Sequence, residues 1–325
     1  VYCFALAALY GLHERRLFVP GPASTLRYFV ERPAAPAALE SALEGLREAG
    51  YLLENDTLLE GGLAASLHVL ADPVLRLRVV RGTPREVPRS VVTDSDGVVG
   101  VSVLTDGLEV VISLTQPLAD VAAGVCRVVT GEGEPERGAR LDVVGAEAHL
   151  LTALAPLLRV SDLSADRLVA FVTALGGTVS HEAAVAALAE LCQAGWLERR
   201  DAAFALAAGR EERLAALAGD EFVDIVLTRF APDRELRRTH RFHRAGAGVW
   251  RLSPFVAGHD HAPAETASEA VVGQCLLGLS YIPQSREMVA DYVYGLLGLA
   301  RPRSGPGPRS DDRRAGRGIR HSRRS

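Results

Sequence analysis

Two stretches, "LEGLREAGYLLE" (Leu43–Glu54) and "LAELCQAGWLER" (Leu188–Arg199), carry Leu, Leu, Ala, Gly, an aromatic residue and Leu in the same order. In the first, Leu39, Ala42, Leu43 and Leu46 recur at helical spacing over 37–49, the stripe of an amphipathic helix. Gly50 then stands where a left-handed C-cap is needed, and Tyr51–Leu53 leaves as a short strand. In the second, Ser180 is placed to N-cap the helix and Gly195 to close it. Leu43, Leu46 and Leu52, with Leu188, Leu191 and Leu197, are therefore expected in equivalent cores.

The match extends in both directions. Upstream, "LAALYGL" (Leu6–Leu12) falls on "LTALAPL" (Leu151–Leu157), and "LRYFV" (Leu26–Val30) on "FVTAL" (Phe171–Leu175). Downstream, "LHVLADPVLRLRVV" (Leu67–Val80) resembles "LAALAGDEFVDIVL" (Leu214–Leu227), and "AAGVCRVV" (Ala122–Val129) pairs with "VVGQCLLG" (Val271–Gly278). The same parts in the same order predict a duplicated, pseudo-two-fold chain. Strands are expected at Val74–Val80, Val98–Leu104 and Leu108–Leu114, turned at "TDG", after a helix stopped by Pro73. The second set is Phe222–Phe230, Leu236–Arg244 and Val249–Ser253, turned at "AGAG". Closing helices are expected over Pro117–Val129 and Glu265–Tyr281. The fold class is α+β, each half having helices, an antiparallel meander and a closing helix. The halves span 1–130 and 145–283, with the "GEGEPERG" region (131–144) as linker; 284–300 could be an added amphipathic helix.

Charge separates body from tail. The formal total is −4, yet nine arginines against two aspartates lie beyond Ala300, so the rest of the chain is strongly acidic. An acidic body is repelled by phosphate backbones, which argues against nucleic acid as a partner of the folded part. Residues 301–325 lack the apolar side chains that offset ordering entropy and are expected to be a disordered, Arg-rich tail. The apolar run Val1–Leu12 has no basic leader and is too short to span a bilayer, so it reads as a core helix. Cys3, Cys126, Cys192 and Cys275 are scattered without ligand spacing, as for small buried residues in a reducing cytoplasm.

Catalytic patterns are missing. No GxSxG, P-loop, GxGxxG or HExxH occurs, so no catalytic, cofactor-binding or metal residue is assigned. His259 and His261 would share a face of an extended segment, but that spacing is loose evidence for a metal. His240 and His243 fall on opposite faces of an expected strand and cannot chelate together. The helix, "AG-aromatic-Leu" and strand unit also fits a tandem winged-helix module for protein interaction or regulation. Its candidate helices offer Glu44, Arg47 and Glu48, or Glu190 and Gln193, too acidic for reading DNA.

The element order of the first half resembles the EspG family, type VII (ESX) secretion-associated proteins of actinobacteria. The residues that carry the likeness are "ALEGLREAGYL", then Leu63, Leu67, Leu70, Ala71 and Pro73 of the helix before the strands, and "GVWRLSP" (Gly248–Pro254) late in the chain. The resemblance implies a quasi-two-fold α/β fold and a cytosolic, non-enzymatic chaperone-like adaptor. Such proteins cover the apolar tip of a PE–PPE-like helical client, with no cofactor. An apolar surface of its own is then expected at hairpin tips and C-terminal helices. Leu104, Asp106 and Leu108, with Leu276, Leu277 and Leu279, are the candidate partner-binding residues, and Leu108, beside a Gly turn, is the sharpest of them; strand alternation equally allows Leu108 as an inward residue, and the last three leucines fit a core as well.

Overall fold

The computed structural model describes residues 1–31, 33–53, 55–83, 86–105, 108–136, 138–144, 147–158, 162–174, 180–211, 214, 219–256 and 277–302. In the first half, Tyr2–Ala5 is β1, followed by α1 (Ala7–Glu14), α2 (Arg27–Val30) and α3 (Pro36–Glu48). A ribbon of β2 (Leu52–Leu53) and β3 (Leu58–Leu59) precedes α4 (Gly61–Ala71). The chain then enters β4 (Leu75–Thr83), β5 (Glu86–Ser95), β6 (Val99–Thr105), β7 (Glu109–Ile112) and β8 (Gln116–Pro117), and closes with α5 (Leu118–Thr130). The second half starts with β9 (Leu141–Val144), α6 (Glu147–Leu158), α7 (Ala165–Ala174) and α8 (His181–Gln193). A second ribbon, β10 (Leu197–Arg200) and β11 (Ala203–Leu206), leads to β12 (Glu221–Ala231), β13 (Arg234–Ala245), β14 (Gly248–Val256), β15 (Leu277–Pro283) and α9 (Arg286–Leu296).

The helix ends follow from their caps. Pro36 begins α3 where its missing N–H is no loss. Gly50 and Gly195 both adopt positive φ (70° and 71°), which no L side chain does freely. Each allows the same closure: Gly50 and Tyr51 donate to the carbonyls of Arg47 and Leu46, while Gly195 and Trp196 donate to those of Cys192 and Leu191. The repeated phrase is thus a repeated helix stop. Ser180 Oγ accepts from the Ala183 amide at 3.1 Å, as its position predicts. Glu60 caps α4, its carboxylate accepting from Gly62 and Leu63.

Eleven of the fifteen described strands join one antiparallel sheet, ordered β1-β7-β6-β5-β4-β12-β13-β14-β15-β9, with β8 against β6. Its centre is β4 paired with β12, Val79 opposite Ile225. Reading outward from that pair, the order is β5, β6, β7, β1 on one side and β13, β14, β15, β9 on the other. Helices α5 and α9 cover the central strands, packing over Leu75, Leu77, Val223, Ile225 and Leu227. The other helices lie on the opposite face. On β6, Val101 and Val103 join the core of α1, α3 and α4, whereas a Cβ on Gly100 would meet Val121 of α5 at 3.0 Å. A matching cluster buries Leu252 and Tyr281 under α6–α8. All six leucines expected in equivalent cores are buried, Leu43, Leu46, Leu188 and Leu191 completely.

Several expectations need correction. Leu277–Pro283 is a strand, not the end of a closing helix; Leu277, Leu279 and Tyr281 alternate as in a strand, and Pro283 ends it. The closing helix is α9, so residues 284–300 hold a helix of the architecture rather than an addition. Residues 257–276, which contain much of the expected helix with Cys275 and the His259/His261 pair, lie outside the described residues, as do 303–325 of the tail. The expected linker 131–144 contains β9, paired with β15. Strands β1 and β5 were not expected either. In β5, Pro88 and a run of Ser, Thr and Asp hide the strand, because its buried side chains include the polar Thr93, Asp94 and Ser95, on both faces of the sheet. Asp94 is acceptable there because it accepts from Arg76 Nε at 2.7 Å and from Thr25. Finally, the halves share one sheet through β4 and β12, which removes the reading as two separate winged-helix units.

Candidate functional site

Strand β1 lies antiparallel to β7, with Tyr2 opposite Ile112 and Ala5 opposite Glu109. That pairing sets the tip of the β6–β7 hairpin against the start of α1, where the Leu108 carbonyl accepts from the Leu6 amide at 2.8 Å. An apolar groove of about 620 Å³ opens beside this contact, bounded by β1, α1, α2 and α3. Its floor is a run of small residues: Ala34 just before α3, then Ala38, Ser41, Ala42 and Gly45 at the spacing of one helix face. Tyr10, Tyr28 and Phe29 stand around it, and Tyr28 is 56% exposed. Leu108 completes the rim and is 80% exposed, an extreme value for a leucine.

The elements that bound the groove are tied down by groups outside its lining. Tyr2 donates its hydroxyl to Glu60 at 2.7 Å, and its phenol pKa is pushed up to about 12 by burial and by that carboxylate. Glu60 is held below the usual carboxylate range by the Gly62 amide, the Tyr2 hydroxyl and the Leu63 amide. Under α3, Arg47 grips Asp56 with two bonds of 2.9 and 2.7 Å, and this keeps Asp56 ionised below its ordinary range. Small side chains on a fixed helix let another backbone approach closely, while the aromatic walls supply area. Such a surface is complementary in shape and polarity to apolar side chains.

The structure separates the expected partner-binding residues. Leu108 lies in the groove, and Leu104 is 46% exposed on the same hairpin but outside the groove lining. Leu277 and Leu279 are on β15, with six strands between it and β7 in the sheet order, or roughly 34 Å at the usual strand spacing. They do not share a site with Leu108. Asp106 and Leu276 lie outside the described residues. Sequence reasoning missed Tyr10, Tyr28, Phe29 and the small face of α3. A second pattern in "AAPAALESALEG", small residues flanking the leucine stripe, was the available signal.

Among the described residues, no group of three or more His, Cys, Asp or Glu side chains is arranged to hold a metal. His240 and His243 do point to opposite faces: Tyr292 Oη lies 2.7 Å from His240 Nδ1, while His243 packs edge-on against Tyr281. Cys126 is buried, but Cys3 is exposed, contrary to the expectation of uniformly buried cysteines. Its Sγ donates toward Glu109 at 3.8 Å, at the rim of the groove. No described helix is long and apolar enough to cross a membrane.

No protein-family model matches the chain, and no curated protein matches it. Among solved structures, it is similar to the Mycobacterium tuberculosis type VII secretion system chaperone EspG5, determined in complex with the PE25–PPE41 dimer. The TM-score is 0.50 at 14% identity, covering 92% of this chain and 96% of the other. At that identity the likeness is one of architecture, and it extends over nearly the full length of both chains: this protein has an EspG-like fold.

Proposed function

We propose that this chain is a non-enzymatic chaperone or adaptor of the EspG kind, acting in the cytoplasm on a client of a type VII secretion system. The client is a PE–PPE-like helical protein whose apolar tip lies in the groove beside Leu108. One observation carries the reading: a leucine 80% exposed at the rim of an apolar groove floored by Ala, Ser and Gly. Exposed apolar area with a small-residue floor suits a helix tip that must be kept from water. Full burial of one leucine side chain contributes about 1.5–3 kcal/mol, so Leu108 alone can alter affinity by one to two orders of magnitude. The likeness of fold to a client-bound chaperone supports the same reading. We infer also that the two halves arose by duplication, which accounts for their matched element order.

Co-purification from the native host tests this, with the captured protein identified by mass spectrometry. Leu108→Asp should give a folded protein with an unchanged thermal transition that no longer retains its client. Ala38→Phe, which fills the floor, should do the same. Retention of the client by both folded variants would refute the groove as the site.

A further inference from the structure

A second groove runs along the other face of the sheet, between α5 and strands β4 and β5. It has a volume of about 1060 Å³ and is floored by Val79, Val91, Val121, Val125 and Val128. Five arginines line it against two carboxylates, in a chain whose body is otherwise acidic.

The arginines are not equivalent. Arg81 and Arg244 share Glu221, the latter at 2.7 Å. Arg286 donates to the carbonyls of Gly131, Glu132 and Gly133 and so caps the end of α5. Among the described residues, Arg89 and Arg127 are paired with no carboxylate. Arg89 stands directly across the β4–β5 ladder from Arg81, and like charges so placed repel. Arg127 extends from α5 over Gly124, its Nη2 4.0 Å from where a Cβ on that glycine would be. Two unpaired guanidinium groups thus border a valine-lined floor.

Gly124 itself is informative. It lies seven residues after the N-cap of α5, as Tyr292 does in α9. Tyr292 fills the corresponding flank of the second half, packing on His240 and Phe242 with the Arg251 guanidinium 4.3 Å from its ring centroid. A glycine inside a helix is unfavourable, and no steric contact requires one here, since a Cβ would meet only Arg127 Nη2, at the ordinary contact distance of 4.0 Å. The position keeps the flank empty.

We propose that this groove is a second docking site and that its occupant is an acidic amphipathic helix of a protein partner. The charge selects carboxylates, and the valine floor selects an apolar stripe beside them. Helix is favoured over strand by β5. Its outer edge is not paired with β6 over Glu86–Val91, but Pro88 interrupts the row of amide donors an added strand would use. The groove also follows the 13 residues of α5, about 20 Å. The proposal rests on the adaptor reading only in taking the partner to be a protein.

Two fluorescein-labelled peptides of about 18 residues provide the probe, both with a Leu/Val stripe and flanked by Glu in one and Lys in the other. Fluorescence anisotropy on the full chain should show the Glu peptide binding about tenfold or more tightly than the Lys peptide. Gly124→Tyr should weaken it by about tenfold, while Gly124→Ala should leave it intact. The double variant Arg89→Glu/Arg127→Glu should reverse the preference, an independent readout if Gly124→Tyr misfolds. Leu108→Asp should not alter peptide binding, so failure here and failure of the client site are read separately. Equal binding of both peptides, no saturable binding, or indifference to the double variant would overturn the proposal. Saturable uptake of dodecanoate without peptide binding would assign the groove to an acyl anion and overturn it equally.

Discussion

Gly11 lies in α1 where that helix crosses α3, and replacing it by alanine tests how closely the two must approach. A Cβ at position 11 would stand 2.7 Å from Leu39 Cδ1 and 3.0 and 3.3 Å from the two Cδ atoms of Leu43. In an open helix the change would stabilise by about 1 kcal/mol. Here the neighbours decide the sign. Leu39 is partly buried and can turn aside, but Leu43 is fully enclosed and cannot move without displacing α3. Overpacking of this kind costs about 1–3 kcal/mol, so after the helix gain a net loss of up to about 2 kcal/mol is expected. Leu43→Ala alone should cost about 2–5 kcal/mol, and the double variant should fall short of the sum by about 1–2 kcal/mol, because the methyl group added at position 11 occupies vacated volume. Urea unfolding followed by circular dichroism, with unchanged m-values, measures all three. A Gly11→Ala protein more stable than the parent, or strict additivity in the double variant, would show that α1 and α3 are not in this contact. Because α1 and α3 also border the apolar groove, the single variant should weaken client capture as well.

The remaining expectations follow from charge and burial. Asp94→Ala should cost about 3–5 kcal/mol in urea unfolding, since Asp94 is fully buried and its loss strands Arg76; a cost within about half a kcal/mol would refute a structural role for the pair. Asp56 and Glu60 titrate below their unfolded values, so their contribution is present above about pH 4–5 and fades as pH falls through the lower folded values. Asp56→Asn with Glu60→Gln should therefore flatten the acid limb of a stability-versus-pH curve. Tyr2 works in the opposite direction: raised to about 12, it favours folding below pH 10 and loses that contribution as pH rises toward the folded value, so Tyr2→Phe should flatten the alkaline limb. Burial lifts the Cys126 thiol to about 11, so alkylation of the native protein at pH 8 should mark exposed Cys3 and spare Cys126; equal labelling by peptide mass spectrometry would refute that burial.

What the sequence disclosed depended on whether a residue's local role and its tertiary role coincide. The helix stops at Gly50 and Gly195 are local, set by one positive φ and two hydrogen bonds, and they were legible with their leucines. The long strand β12 was legible because its apolar residues run almost continuously. By contrast, β5 buries Thr93, Asp94 and Ser95, and only the partner Arg76, from another strand, makes that tolerable. No local pattern contains that information. The stretch Leu276–Pro283 failed for another reason. Short apolar runs satisfy both periods, and residues 257–276 between β14 and β15 shifted the match that favoured a helix.

The same argument explains why the candidate sites were the least legible part. Matching one half against the other selects the residues both need, and those are the core leucines and the caps. The two candidate grooves lie where the halves differ. Tyr292 fills a flank in one half, and Gly124 leaves it open in the other. The Ala, Ser and Gly face of α3 forms a floor at one end of the sheet, and Leu108 remains exposed beside it. Agreement between the halves therefore marks the scaffold, and the candidate grooves fall at its exceptions. Leu108 was singled out for a reason independent of the repeat, its place next to Gly107 in the sequence, and it is 80% exposed.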